Sequence, residues 1–348
     1  MTGPSPPPLL RVGPSQASDL LACGYRVAWA RDPRELVETK HPKALLGVAG
    51  HAVCERAGKG QLELMDEGWT DWYEAAWSTE VGRVAEGAPE LGPPERWPAH
   101  NLQKALWRNR AWEVAERTAA RRPDQENDPS QGVELELEGY DGRLKGKADV
   151  VLREGNTVEI RDFKSGRILA DTGELSEGYK VQLLLYAALY EQNFGIWPAR
   201  LIIDPLVRDP VMVEPDRLAA WRAVEETLAG IARFNAALEE GTLESLAQPS
   251  RDTCRFCAHT LRCEPFWRAA NSTWDGRPPA LAGAIVARTP GIIELSVQAG
   301  TIDPGLWQLG GVAGEENLDP PARVRIVAFE RRRDTKLACG AQTRIQRL

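Results

Sequence analysis

The chain has 348 residues, of which 43% are hydrophobic and 27% charged, the balance of an ordinary soluble globular protein able to bury one large core or two unequal ones. No apolar run approaches the roughly 18 residues of a membrane span, and the opening MTGPSPPPLL lacks the basic-then-apolar pattern of a secretion signal, so the expected location is cytoplasmic. The formal net charge of −7 excludes a uniformly basic nucleic-acid binder, although local patches and not totals choose partners.

In chain order, residues 1–14 are rich in Pro, Gly and Ser and read as a flexible N-terminus. SQASDLLACGYRVAWARD follows with a Ser/Asp helix start, which places Cys23 on or just after a short helix. From Lys43 to about Glu67 the periodicity is helical. His51 sits there among Gly47, Ala49, Gly50 and Ala52, small residues that let another backbone approach closely, and a lone histidine on such a face reads first as a hydrogen-bonded core residue. Residues 69–122 are Trp-rich and read as a helical insertion covering a sheet. Its arginines Arg108, Arg110, Arg117, Arg121 and Arg122 form a basic face, solvated or able to touch phosphate.

Three strand patterns come next. VELELEG at 133–139 alternates Val133, Leu135 and Leu137 with Glu134, Glu136 and Glu138. LKGKADVVLREG and GNTVEIRDFKSG are joined by the short turn Gly155-Asn156, a hairpin signal that can lay Asp149 beside Asp162. Asp162 and Lys164 are two apart and so share a face. In isolation such a triplet is a solvated ion pair at a strand edge. Two carboxylates side by side repel, however, and a divalent cation between them is the economical reason to keep both. An amphipathic helix over 175–195 then carries Gln182 and Tyr186 on one face, PARLIIDPLV reads as a further strand, and a long helix over 215–241 leads to CRFCAHTLRC.

Cys254, Cys257 and Cys263 crowd that run, and Cys23 stands alone far upstream. A reducing compartment argues against disulfides. Four thiolates suit an iron–sulfur cluster or a structural zinc, with His259 a substitute ligand in the zinc case, and one distant cysteine meeting three close ones favours the cluster. Beyond the run five strand-like pieces fill 280–348 and predict a small β-barrel, possibly an OB barrel, over 275–348. Its basic patch is Arg323, Arg325, Arg331, Arg332 and Arg333, with Phe329 or Trp307 expected to stack a base.

The ordered set Gly47-x3-His51, Gly146-x2-Asp149, Asp162-x-Lys164 and Gln182-x3-Tyr186, enclosed by the four cysteines, resembles the PD-(D/E)XK nuclease superfamily in its RecB-type branch with a four-cysteine iron–sulfur cluster. Ser18, Leu21 and Cys23 are similar to that branch's opening, with Gly24 in place of its usual Pro. The resemblance covers about 15–268 and implies an α/β fold: a restriction-endonuclease-like core, a central mixed sheet flanked by helices, within a domain over 15–270. It implies a metal-dependent DNA nuclease directed at ends or single strands, serving repair, recombination or defence. Mg2+ or Mn2+ would be held by His51, Asp149, Asp162 and the Phe163 carbonyl, with Lys164 at the scissile phosphate, Gln182 and Tyr186 positioning DNA, and a 4Fe-4S cluster on Cys23, Cys254, Cys257 and Cys263. No Walker-type G-x4-G-K-[ST] occurs, so unwinding would come from a helicase partner in trans. The competing expectation is a catalytically silent DNA-binding or scaffold protein on the same fold.

Overall fold

The computed structural model describes residues 3–34, 41–59, 68–119, 128–170, 172–312, 318–332, 334–340 and 343–348. The expected helical positions 60–67, Arg121, Arg122 and Arg333 lie outside them. In chain order the helices are α1 (Pro14–Ala22), α2 (Gly24–Ala30), α3 (Pro42–Gly58), α4 (Trp69–Glu86), α5 (His100–Ala119), α6 (Glu177–Phe194), α7 (Arg217–Glu239), α8 (Arg251–Cys254) and α9 (Glu264–Ala269). The strands are β1 (Gly132–Gly139), β2 (Leu144–Glu154), β3 (Thr157–Lys164), β4 (Arg200–Pro205), β5 (Val211–Val213), β6 (Ala280–Thr289), β7 (Ile292–Gly300), β8 (Gly305–Gly310), β9 (Arg323–Val327), β10 (Glu330–Arg331), β11 (Lys336–Ala338) and β12 (Arg344–Arg347). They form two compact units, one from residues 9–21 and 37–233, the other from 1–8, 22–36 and 234–348.

The first unit is built on a mixed sheet of order β1-β2-β3-β4-β5. Only β3 and β4 are parallel, so the chain must cross over between them, and α6 is that crossover. One face of the sheet is closed by α3, α4 and α5, whose buried side chains form a core with Val150 and Phe163. Strand alternation turns Asp162, the neighbour of Phe163, to the opposite face, where Gln182 of α6 meets it. The N-terminal stretch expected to be flexible is packed instead. Leu9 and Val12 are buried, and Val12 bridges in parallel to Leu144, because two apolar side chains among the prolines find a place beside β2. The expected strand over 198–207 is β4, with the short β5 after it as an edge that composition does not announce.

The second unit holds α2, α8, α9 and a seven-stranded sheet of order β10-β11-β8-β7-β6-β9-β12 around its own apolar core. Bulges at Ala282/Gly283 and Ile285/Ala287 bend β6. Instead of the expected closed barrel, the hydrogen-bonded strands make a curled half-barrel with β10 and β12 at its edges. Among the described residues no helix is long and apolar enough to cross a membrane.

Candidate active site

The β2–β3 hairpin pairs Glu154 with Thr157 and Val150 with Arg161, a register that sets Asp149 opposite Asp162. Both are buried. Asp149 Oδ2 accepts the Phe163 backbone N–H at 2.6 Å, and Oδ1 lies 3.3 Å from His51 Nδ1. Asp162 Oδ1 accepts from Gln182 Nε2 at 2.7 Å, while Oδ2 is 2.5 Å from Lys164 Nζ. The Lys164 ammonium also stands 5.1 Å from the centroid of the Tyr179 ring.

His51 reaches the hairpin because α3 lies very close to its neighbours. A Cβ at Gly47 would sit 2.6 Å from Ser165 Oγ, just past Lys164, and one at Gly50 would sit 2.1 Å from the Trp107 ring. The glycines therefore let the helix approach, and Trp107, with its ring centroid 5.0 Å from that of His51, sets the imidazole's position.

A further carboxylate joins them. Among the described residues, ligand atoms of His51, Glu134 and Asp149 lie within 4.8 Å of one another, the one cluster of its kind. Glu134 holds a φ of +52° inside β1, a left-handed conformation that costs a non-glycine residue on the order of 1 kcal/mol. Sequence reading counted Glu134 with Glu136 and Glu138 as one polar face. The signal that separates it is register: pairing Leu135 with Ala148 puts Glu134 opposite Asp149, whereas Glu136 and Glu138 meet Lys145 in exposed ion pairs.

The electrostatics follow from crowding acids in a dry place. Burial, then the Asp149 charge, pushes Glu134 up to about 7 and Asp162 up to about 6. Burial also works against ionised Asp149, but the His51 charge and hydrogen bond, Lys164 and the Phe163 N–H outweigh it and hold Asp149 below the usual carboxylate range. Burial likewise opposes charge on His51 and Lys164, and the surrounding carboxylates prevail, raising both. The donors are hard oxygens plus one imidazole, a set that suits a divalent cation.

Of the remaining expected residues, Tyr186 is buried and donates to the Lys147 carbonyl at 2.6 Å. Gln182 and Tyr186 thus touch Asp162 and the backbone of β2, positioning the site from within. In the second unit Cys23, Cys254, Cys257 and Cys263 line one small cavity together with Trp29 and His259. Gly24 serves there: a Cβ would lie 3.1 Å from Leu246 Cβ, so this turn is tight without the Pro. Burial pushes the Cys257 thiol up to about 11 and Cys263 up to about 12, while backbone hydrogen bonds from His259 and Phe266 favour their thiolates.

The tail patch needs correction. Arg325 is 9% exposed, holds Glu264 at 2.6 and 2.9 Å and lies 5.0 Å over the Trp267 ring, so it is a tie within the unit. Trp307 and Phe329 are buried in the sheet's core and cannot stack a base. Arg323 and Arg332 are exposed, and Arg331 lies over Trp307 at 5.4 Å.

Among curated proteins none matches the chain significantly. A family model does, over residues 11–264, a span well over half of the chain that holds the hairpin acids, Lys164, His51 and the cysteine run. With the mixed sheet and the buried acid–lysine hairpin, that match means that the chain belongs to the PD-(D/E)XK nuclease superfamily.

Proposed function

We propose that this protein is a Mg2+- or Mn2+-dependent deoxyribonuclease of the RecB-type branch, acting on DNA ends or single strands in repair, recombination or defence and supplied by a helicase in trans. The observation that carries the nuclease reading is the meeting of half-buried Glu134 and His51 with buried Asp149 beside the Asp162–Lys164 pair. A catalytically silent scaffold has no use for acids that burial, then the Asp149 charge, drives up to about 6 and about 7.

The donor set fits a divalent cation held by His51, Glu134, Asp149 and Asp162, with the Phe163 carbonyl as a backbone donor. Such an ion would supply polarisation of a phosphoryl oxygen and a more acidic water. Lys164 keeps its proton because Asp162 and Asp149 favour the ammonium, and it offers that charge to oxygens that become more negative during displacement. Gln182 fixes the rotamer of Asp162, and Tyr179 covers the Lys164 ammonium. Labelled single- and double-stranded DNA incubated with Mn2+ or EDTA tests the reading. Cleavage that EDTA leaves untouched would sink it.

Glu134→Gln is expected to weaken Mn2+ binding about tenfold or more in calorimetry, while His51 and Asp149 stay in place. In the wild-type protein, Mn2+ at a hundred times its Kd should stabilise by about 2.7 kcal/mol. Because protons and the ion compete for Asp162 and Glu134, affinity is expected to be flat above about pH 8 and to fall by about tenfold or more per unit below about pH 6. An affinity independent of pH between 5 and 8, on the order of these limits, would exclude both acids as ligands.

We also propose that the four cysteines hold a 4Fe-4S cluster as a structural staple. What supports a shared group is that the lone Cys23 lines one cavity with Cys254, Cys257 and Cys263, and one distant cysteine meeting three close ones suits a cluster better than the paired ligands of a structural zinc. The purified protein should be brown with broad absorbance near about 400 nm, and Cys254→Ser should lose the colour. Stoichiometric zinc in a colourless protein would overturn this.

For the tail we retain an OB-type reading on connectivity. Only Ala328 and Phe329 separate β9 from β10, and β11 and β12 run antiparallel to them in turn, so each pair counts as one interrupted strand. Five strands then remain, with β8 parallel to β11 and β6 beside β9, which supports an OB-type strand order in the curled half-barrel.

A further inference from the structure

The cysteine run carries a side chain that the packing of its unit does not use. Phe256, between Cys254 and Cys257, is 81% exposed, the most exposed large apolar residue among the described ones. Single exposed apolar residues are common, and exposure alone would mean little. This ring, however, is set among cations. The Arg255 guanidinium lies 5.2 Å from its centroid. Arg26 of α2 donates to the Thr253 carbonyl at 3.4 Å, and Arg344 of β12 donates to the Ala258 carbonyl at 2.9 Å, so two arginines remote in sequence converge on the backbone of the same loop. His259 lies stacked on Trp29 at 6.3 Å between centroids, and the exposed Arg262 follows it three residues on in the same run. The loop is therefore a place of positive potential with an aromatic face turned to solvent.

We infer that the Arg255–Phe256 tip of the cysteine run is a contact for single-stranded nucleic acid, in which Phe256 stacks on a base while Arg26, Arg255, Arg262 and Arg344 attract the phosphates. The inference deepens the nuclease reading and rests on it for the substrate class. An exposed ring beside a guanidinium is the pairing that holds unpaired bases without regard to sequence. A duplex hides those base faces. A protein partner would call for a contiguous apolar patch, and the side chain next to Phe256 in the chain is an arginine. The tip also supplies the exposed aromatic that the tail, with Trp307 and Phe329 buried, lacks.

The test is anisotropy of a labelled oligo-dT with the full-length protein in EDTA, which separates binding from cleavage. Phe256→Ala should weaken binding by about 5- to 150-fold, the worth of one stacked base, and Phe256→Trp should restore it. Arg262→Ala should flatten the salt dependence by about 0.7 in the log–log slope. Melting temperature and bound iron or zinc should match the wild type in all three. Equal affinity of Phe256→Ala and wild type would overturn the contact and leave the tip to a protein partner. Equal loss for duplex and single strand, or no measurable binding by the wild type, overturns it as well. Cleavage with Mn2+ is scored separately on the wild type. Its absence alongside Phe256-dependent binding would sink the nuclease reading alone, and its presence alongside Phe256-independent binding would sink the contact alone.

Discussion

Asp162→Asn is expected to lower metal-dependent cleavage by at least about a thousandfold while leaving the far-ultraviolet spectrum and the cooperative melt in place. The substituted amide is the same size and can still accept from Gln182, whose Nε2 is 2.7 Å from Asp162 Oδ1 in the parent. What disappears is the charge that faces Lys164 at 2.5 Å and the oxygen that a divalent ion would use. Lys164→Ala should be comparably inactive, because it removes the ammonium that is held over the Tyr179 ring and faces Asp162 Oδ2 directly. Gln182→Ala should lose less, since it only orients an acid that Lys164 also holds. Retention of more than about a tenth of wild-type turnover by Asp162→Asn, measured under single-turnover conditions, would remove Asp162 from the reacting centre.

Much of this centre was legible because strand geometry is periodic. The Gly155-Asn156 turn fixes the hairpin, the hairpin fixes Asp149 against Asp162, and a period of two puts Lys164 with Asp162. His51 was legible only through resemblance, since a helix among small residues does not say what lies over it. The structure supplies the reason in the absent Cβ atoms of Gly47 and Gly50. Glu134 escaped because three glutamates alternate identically along β1, and its difference arises from a positive φ and from the cross-strand neighbour. In the tail the arginine count was legible and the partners were not. Glu264 lies 61 residues from Arg325 in sequence, and the aromatic residues of short strands show no outward sign of whether they face the core. Two apolar side chains among prolines, Leu9 and Val12, were likewise too few to register as a packed segment.

Behind the site lies a second charged cluster, and it is expected to govern stability where the first governs activity. Asp204 on β4 is 0% exposed and receives Arg161 Nη1 at 2.5 Å and Arg110 Nη2 at 2.7 Å. Arg161 also holds Glu159 at 2.8 Å, and Glu159 in turn meets Arg200 at 3.2 Å. Asp204→Ala would leave two guanidiniums facing each other in a buried place, and breaking such a network from one side costs about 3–5 kcal/mol. For a unit of this size that corresponds to a drop of roughly 6–20 °C in Tm. Asp204→Asn should cost less, because one carbonyl oxygen still accepts. Arg161→Met combined with Asp204→Leu should recover part of the loss, since apolar replacement of a whole buried pair is often close to neutral. Arg161 immediately precedes Asp162, so the same network holds the strand that carries the Asp162–Lys164 pair, and Asp204→Ala should lose turnover only as temperature approaches its own melt. A melt in EDTA that shifts by less than about 2 °C would show that β3 is held by its apolar contacts alone, with the buried charges adding nothing.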